Sequence, residues 1–274
     1  MDSLAICLII CLYGGVLSTP INILHSRNVQ HKNNKIGIIG GDSASIKQFP
    51  YQAALLSDNE LFGGGIILGK KFILTSAFVI APYTSIVVQV GSASSKTGGT
   101  LIKVEKSIVH EDFYGYSYDV ALLKLAKPIK YGKTAKPIRM ASKEAKNATS
   151  AVVSGYGFSS NHDLTDDNGF LTKGTQTTID KSSCQAYYSY ITLDETNSCA
   201  FNNTLCNCYS DIGNPLVQNS KLLGYFLGGN WCCNGGTPQI YSNIPAVRKW
   251  VLKHMKTEGF RSKENLRHYY KVKI

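Results

Sequence analysis

Phe62–Val79 reads F-G-G-G-I-I-L-G-K-K-F-I-L-T-S-A-F-V: short apolar runs rich in β-branched residues, broken by glycines and a lysine pair. Runs of this length, punctuated this way, predict β-strands joined by tight turns. The same texture extends on both sides. F-P-Y-Q-A-A-L-L from Phe49 is a turn followed by an apolar strand, and Ser85–Val90 and Leu101–Val109 flank a glycine-rich turn. A further run, A-V-V-S-G-Y-G-F, begins at Ala151. Helical periodicity is clear in Pro245–Met255, where Val247, Trp250, Val251 and His254 are spaced to share a face. The expectation is an all-β barrel or sandwich closed by a C-terminal helix.

The ends of the chain differ from this middle. Leu4–Leu17 is a short apolar run ending in small residues, which predicts a signal peptide over residues 1–18. Residues 19–37 are polar and aperiodic and read as a pro-segment, and 257–274 read as a basic tail. From Ile38 onward there are 26 bases against 17 acids, and Lys253–Ile274 alone holds seven bases and two acids. Such a run suits anionic glycans or protein surfaces, or serves only as a solvated tail. With the signal removed, Cys184, Cys199, Cys206, Cys208, Cys232 and Cys233 remain. An even set in a secreted chain predicts disulfides, and the pairing stays open at this level. No histidine lies near the C-x-C or C-C pair, and the acidic loop Asn161–Asn168 lacks a calcium pattern, so neither metal nor cofactor is expected. Asn147-Ala-Thr and Asn202-Asn-Thr are glycosylation acceptors in a secreted chain.

Five motifs in order carry a resemblance: I-I-G-G at Ile38, L-T-S-A-F-V at Leu74, Y-D-V-A-L-L-K-L at Tyr118, A-V-V-S-G-Y-G-F at Ala151 and C-N-C-Y-S-D-I-G-N-P-L at Cys206. Together they resemble the trypsin-like serine proteases (the S1 peptidases). The resemblance implies two six-stranded antiparallel Greek-key barrels over residues 38–256, with a boundary near 145–150. In that family a serine attacks, a histidine takes its proton and an aspartate orients the histidine. The matching positions here are Ile212, Phe78 and Asp119, so two of three hold hydrocarbon. The resemblance also implies Cys184–Cys199 and Cys208–Cys232 bridges, which leaves Cys206 for Cys233. Two further family disulfides are lost as pairs, at Phe62 with Val79 and at Ala151 with Gln218. The family's specificity pocket aligns with Cys206 at its base, Gly228 in its wall and Gln239 where a glycine leaves room, so it is expected to be closed. The family's activating cut frees an ammonium for Asp211, but here Gly37 precedes Ile38 and the nearest base is Lys35.

Asp119 is therefore expected to be structural, accepting N–H groups of Ala77 and Phe78. Two rescue candidates, Ser210 as nucleophile and His110 as base, read instead as an exposed hydroxyl and a solvated imidazole. The chain is expected to be a secreted, extracellular pseudoprotease that binds a protein ligand, with no nucleic acid or membrane partner after signal removal. Its wording H-E-D-F-Y…Y-D-V-A-L-L-K-L-A-K-P-I-K resembles mite group 3 allergen proteases, and its missing triad resembles the inactivated paralogues of the scabies mite, which implies host complement or other defence proteins as partners. The alternatives are an active serine-type endopeptidase with an atypical nucleophile and a basic glycan-binding protein.

Overall fold

The computed structural model describes residues 38–157, 169–208, 210–229, 232 and 236–259. The signal peptide, the pro-segment, the Asn161–Asn168 loop, Cys233 and most of the basic tail lie outside these residues. In chain order the described strands are β1 (Asp42–Ser43), β2 (Gln52–Ser57), β3 (Glu60–Gly69), β4 (Phe72–Thr75), β5 (Val87–Val90), β6 (Thr100–Val109) and β7 (Ala121–Leu125). They continue as β8 (Arg139–Met140), β9 (Ser150–Gly155), β10 (Thr172–Ile179), β11 (Asn197–Phe201), β12 (Pro215–Gln218), β13 (Lys221–Gly229) and β14 (Gln239–Ser242). Three helices, α1 (Ala77–Ile80), α2 (Lys181–Gln185) and α3 (Ile244–Thr257), complete the set.

The first barrel closes in the order β2-β3-β4-β7-β6-β5. Its hairpins follow from local chemistry. Asp58 and Asn59 both take positive φ, 50° and 68°, which turns β2 into β3 with the twist a two-residue hairpin needs. The second barrel runs β10-β11-β14-β13-β12-β9 and closes where β9 pairs with β10 from Thr172↔Gly155 to Thr177↔Ser150. Asn219 and Ser220, at φ 47° and 57°, make the equivalent turn between β12 and β13. β1 extends this sheet alongside β10, and β8 adds parallel to β13. The fold is the expected pair of six-stranded antiparallel barrels with a C-terminal helix.

Each barrel is filled by inward residues of alternating strands. Ala53, Leu55, Ile73, Val88, Ala121 and Leu123 are fully buried, and they join Val153, Ala200, Phe226 and Tyr241 of the second barrel in one apolar cluster. Helix α3 buries Val247, Trp250, Val251 and Met255. Met255 completes the expected face, while His254 is only half-buried and lays its ring on Trp250 at 4.2 Å. The positions of the two lost disulfides are held by other means. Phe62 stacks on Tyr83 with ring centroids 3.8 Å apart, and the Gln218 amide donates to the Ser150 carbonyl at 2.8 Å.

Candidate functional site

The turn into α1 sets the first part of the site. Ser76 is fully buried and caps the helix, its hydroxyl oxygen accepting Val79 N–H at 3.2 Å. The same hydroxyl donates to the Asp119 carboxylate at 2.8–2.9 Å, and Phe78 N–H donates to Asp119 Oδ1 at 2.9 Å. Ala77 N–H is a further donor. Asp119 is 4% exposed, and burial outweighs these donors and pushes its carboxyl up to about 6. The two expected main-chain donors are present; Ser76 was not singled out in the sequence, although a serine two residues before Phe78 is an ordinary helix-cap signal. The Phe78 side chain is 58% exposed, and Leu227, near the Tyr225 that donates to the Asp119 carbonyl, is buried.

Ile212 arrives from the other barrel. Its carbonyl accepts Gly64 N–H at 2.7 Å, and a Cβ on Gly63 would meet both Val79 and that carbonyl, so α1 and the Ile212 loop approach each other across Gly63. Phe78 N–H thus meets Asp119, and the next residue of α1, Val79, faces the Ile212 loop across Gly63. An aromatic ring and a sec-butyl group can neither take nor give a proton, which leaves Asp119 with nothing to polarise. Ser210 sits at φ +64° and directs its hydroxyl to the Leu61 carbonyl at 3.4 Å. His110 departs from expectation. It is 8% exposed rather than solvated, stacked on Trp250 at 4.9 Å and beside Tyr118 at 4.6 Å, with Nδ1 accepting Asp112 N–H. A ring packed between two aromatics is removed from water, and that burial lowers its pKa.

The loop carrying Ile212 is locked by its own carboxylate. Asp211 is fully buried and accepts Cys208 N–H at 2.8 Å, Gly157 N–H at 3.1 Å and the Asn214 amide at 2.5 Å. Asn214 is held in turn by the Gln52 amide at 2.7 Å, and Gln52 by the Ser154 hydroxyl at 2.8 Å. Any side chain at Gly157 would strike the Asp211 carboxylate, which is why glycine is required there. Burial pushes Asp211 up to about 7. Ile38 is buried, and its main-chain nitrogen donates to the Thr172 hydroxyl at 2.8 Å, not to Asp211.

Gln239, one of the residues the resemblance aligns with the pocket, sits in a buried hydrogen-bonded set. Gln239 Oε1 accepts the Gln176 amide at 2.8 Å, the Asn207 main chain at 2.9 Å and the Asn207 amide at 3.0 Å, while Gln239 Nε2 donates to the Asn207 carbonyl at 2.9 Å. Tyr241 closes the set, receiving from Asn207 and donating to Gln176 at 2.6 and 2.7 Å. Gln176, Asn207, Gln239 and Tyr241 are at most 1% exposed, and Cys206 is buried beside them in sequence. The wall is covered as well. A Cβ on Gly228 would lie 2.7 Å from the Tyr116 hydroxyl, and Tyr116 hydrogen-bonds the Gly229 main chain. Tyr188 lies against Gly229 and donates to the Pro238 carbonyl.

Cys184–Cys199 and Cys208–Cys232 are bonded as the resemblance implied. Cys206 is disulfide-bonded too, and the expected Cys206–Cys233 pair lies outside the described residues. The glycosylation acceptor Asn147 is exposed on a turn, whereas Asn202 is half-buried and uses its side chain to cap Thr204 and Leu205 N–H. Among the described residues no group of three or more His, Cys, Asp or Glu is placed to hold a metal ion.

Comparison with known proteins gives one consistent neighbourhood. The family model described as Trypsin matches residues 38–251. Trypsin iota of Drosophila melanogaster is 29% identical over 246 residues, covering 87% of this chain and 96% of that protein. Trypsin of Sarcophaga bullata is 31% identical over 228 residues, covering 80% and 89%. Among solved structures, neuropsin, a serine protease expressed in the limbic system of mouse brain, superposes with a TM-score of 0.74 at 25% identity, covering 80% of this chain and all of that one.

Proposed function

The chain belongs to the trypsin family, and on that premise we propose that it is a secreted member without proteolytic activity, which acts by binding. The observation that supports this reading is that Phe78, whose N–H meets the buried Asp119, and Ile212, whose loop lies across Gly63 from α1, are both hydrocarbon where the family's proton acceptor and nucleophile are expected. In another serine protease, losing the serine or the histidine costs on the order of 10⁶ in turnover. The Gln239 network and the Tyr116 contact at Gly228 support a closed pocket as well.

An atypical nucleophile finds no support in the geometry, because Ser210 faces a main-chain carbonyl and His110 is stacked between aromatic rings. Secretion is supported by the disulfides and by the apolar run at the amino terminus. Within the family, the likeness to mite group 3 allergens and the inactivated scabies mite paralogues makes host complement or defence proteins the partner class to test first. Purified protein should take no label from a fluorophosphonate probe and release nothing from casein, and should inhibit complement lysis in a dose-dependent way. Labelling or casein turnover would remove the inactive reading; absent inhibition would remove only the complement partner.

A further inference from the structure

Segments of both barrels enclose a groove of about 1200 Å³ that shares none of the residues Phe78, Asp119, Ile212, Gly228 or Gln239. Its basic rim is Lys47, Lys136, Arg139 and Lys173, with Asp42 the one carboxylate among the lining residues. The first three cations are exposed and Lys173 is half-buried. None of the four makes an ion pair with a described residue. The floor carries an apolar strip, half-buried Tyr51 with the edges of Phe49, Ile138, Leu205 and Val217, each less than a tenth exposed, among polar Gln48, Thr175, Asn219 and Ser220.

We propose that this groove binds an extended acidic segment of a partner protein, one that alternates carboxylates with apolar side chains. The volume exceeds the range of roughly 300–1000 Å³ that suits a small molecule, which points to a stretch of polymer. Unpaired cations at the rim favour an anion and speed its encounter, and an apolar floor between them rewards side chains that leave water. The chain's own free ends do not complement it. Residues 19–37 carry three bases and no acid, and Lys253–Ile274 carry seven bases and two acids. A second copy brings a net charge of +11 of its own. A sulfated glycan would satisfy the rim and leave the half-buried Tyr51 ring at the floor without a counterpart. The proposal gives a partner class to the binding reading above but does not depend on lost catalysis: casein turnover would overturn that reading and leave this one standing.

The test is fluorescence anisotropy of the full-length chain, freed of N-glycans because Asn202 lines the groove, against a fluorescein-labelled peptide of roughly ten residues alternating Glu with Leu or Phe. Saturable binding is expected, weakening as salt rises from about 50 to about 200 mM. The variant Lys47→Glu/Lys136→Glu/Arg139→Glu should bind at least about tenfold more weakly, the corresponding triple Gln variant should fall between, and Lys253→Glu/Lys256→Glu on α3 should match wild type. No saturation by about 100 μM, or equal binding by the triple Glu variant with unchanged thermal unfolding, would overturn the proposal. Heparin binding that the peptide cannot displace would likewise overturn it, reassigning the rim to polysaccharide.

Discussion

The reaction-centre positions and the basic groove treat polar side chains in opposite ways. At the centre the polar groups turn inward: Asp119 to Ser76 and two N–H groups, Asp211 to Asn214, and Gln239 to Asn207 and Gln176, with Asn207 Oδ1 left without a hydrogen bond to any described residue. In the groove, Lys47, Lys136, Arg139 and Lys173 face solvent with no ion-pair partner among the described residues. Satisfied buried polar groups build rigidity, whereas unsatisfied exposed charge is available to a second molecule. The contrast separates the part of the molecule that maintains the fold from the part able to meet a partner.

The widest test of that contrast is to restore the chemistry without the shape. Phe78→His with Ile212→Ser should gain fluorophosphonate labelling, because Asp119 already stands where the histidine would need it, yet should leave peptide amides uncut while Gln239 and Tyr116 fill the substrate's place. Peptide hydrolysis by that double variant alone would show that the pocket is not closed. Next in size is a pH effect. Asp211 and Asp119 hold protons in the folded state up to about 7 and about 6, against an ordinary value of 3.8. The folded chain therefore binds more protons than the unfolded one in this window, so stability is greatest below pH 4 on their account and falls as pH rises to 7. Asp211 alone contributes a loss of roughly 4 kcal/mol by that point. Urea midpoints from pH 4 to 8 should show the decline, and Asp211→Asn should flatten it; an unchanged slope in the variant would contradict the assignment.

A smaller effect is expected within the filled pocket. Gln239→Leu leaves Asn207 N–H and the Gln176 amide without their acceptor, which should cost about 2–4 kcal/mol in chemical denaturation. Unchanged stability would mean that the network is ornamental. Smallest of all, Lys136→Glu with Arg139→Glu should shift stability by less than about 0.5 kcal/mol, since neither side chain has an ion-pair partner among the described residues. A large loss there would make the groove a structural feature.

The strands and their order were legible because glycine and turn residues punctuate runs such as Phe62–Val79, and because Asp58-Asn59 and Asn219-Ser220 tolerate the positive φ of tight turns. Phe78, Asp119 and Ile212 were singled out through motif order, and the structure shows Phe78 N–H on Asp119 and α1 beside the Ile212 loop. Other features depend on contacts between distant segments. Gln176, Asn207 and Tyr241 look like ordinary polar residues of their strands and loops, and only the fold places Gln176 63 residues from the Gln239 it contacts. His110 read as solvated because nothing local says that Trp250, 140 positions later, lies over it. The groove was invisible for the same reason, its rim being drawn from residues as far apart as Lys47 and Lys173.

The Asn214 amide has a consequence for how the Ile212 loop keeps its shape. Among the described residues, every hydrogen bond to Asp211 comes from a neutral group carried in the loop itself or in a neighbouring strand end, so the uncut chain holds this loop in place without a charged partner.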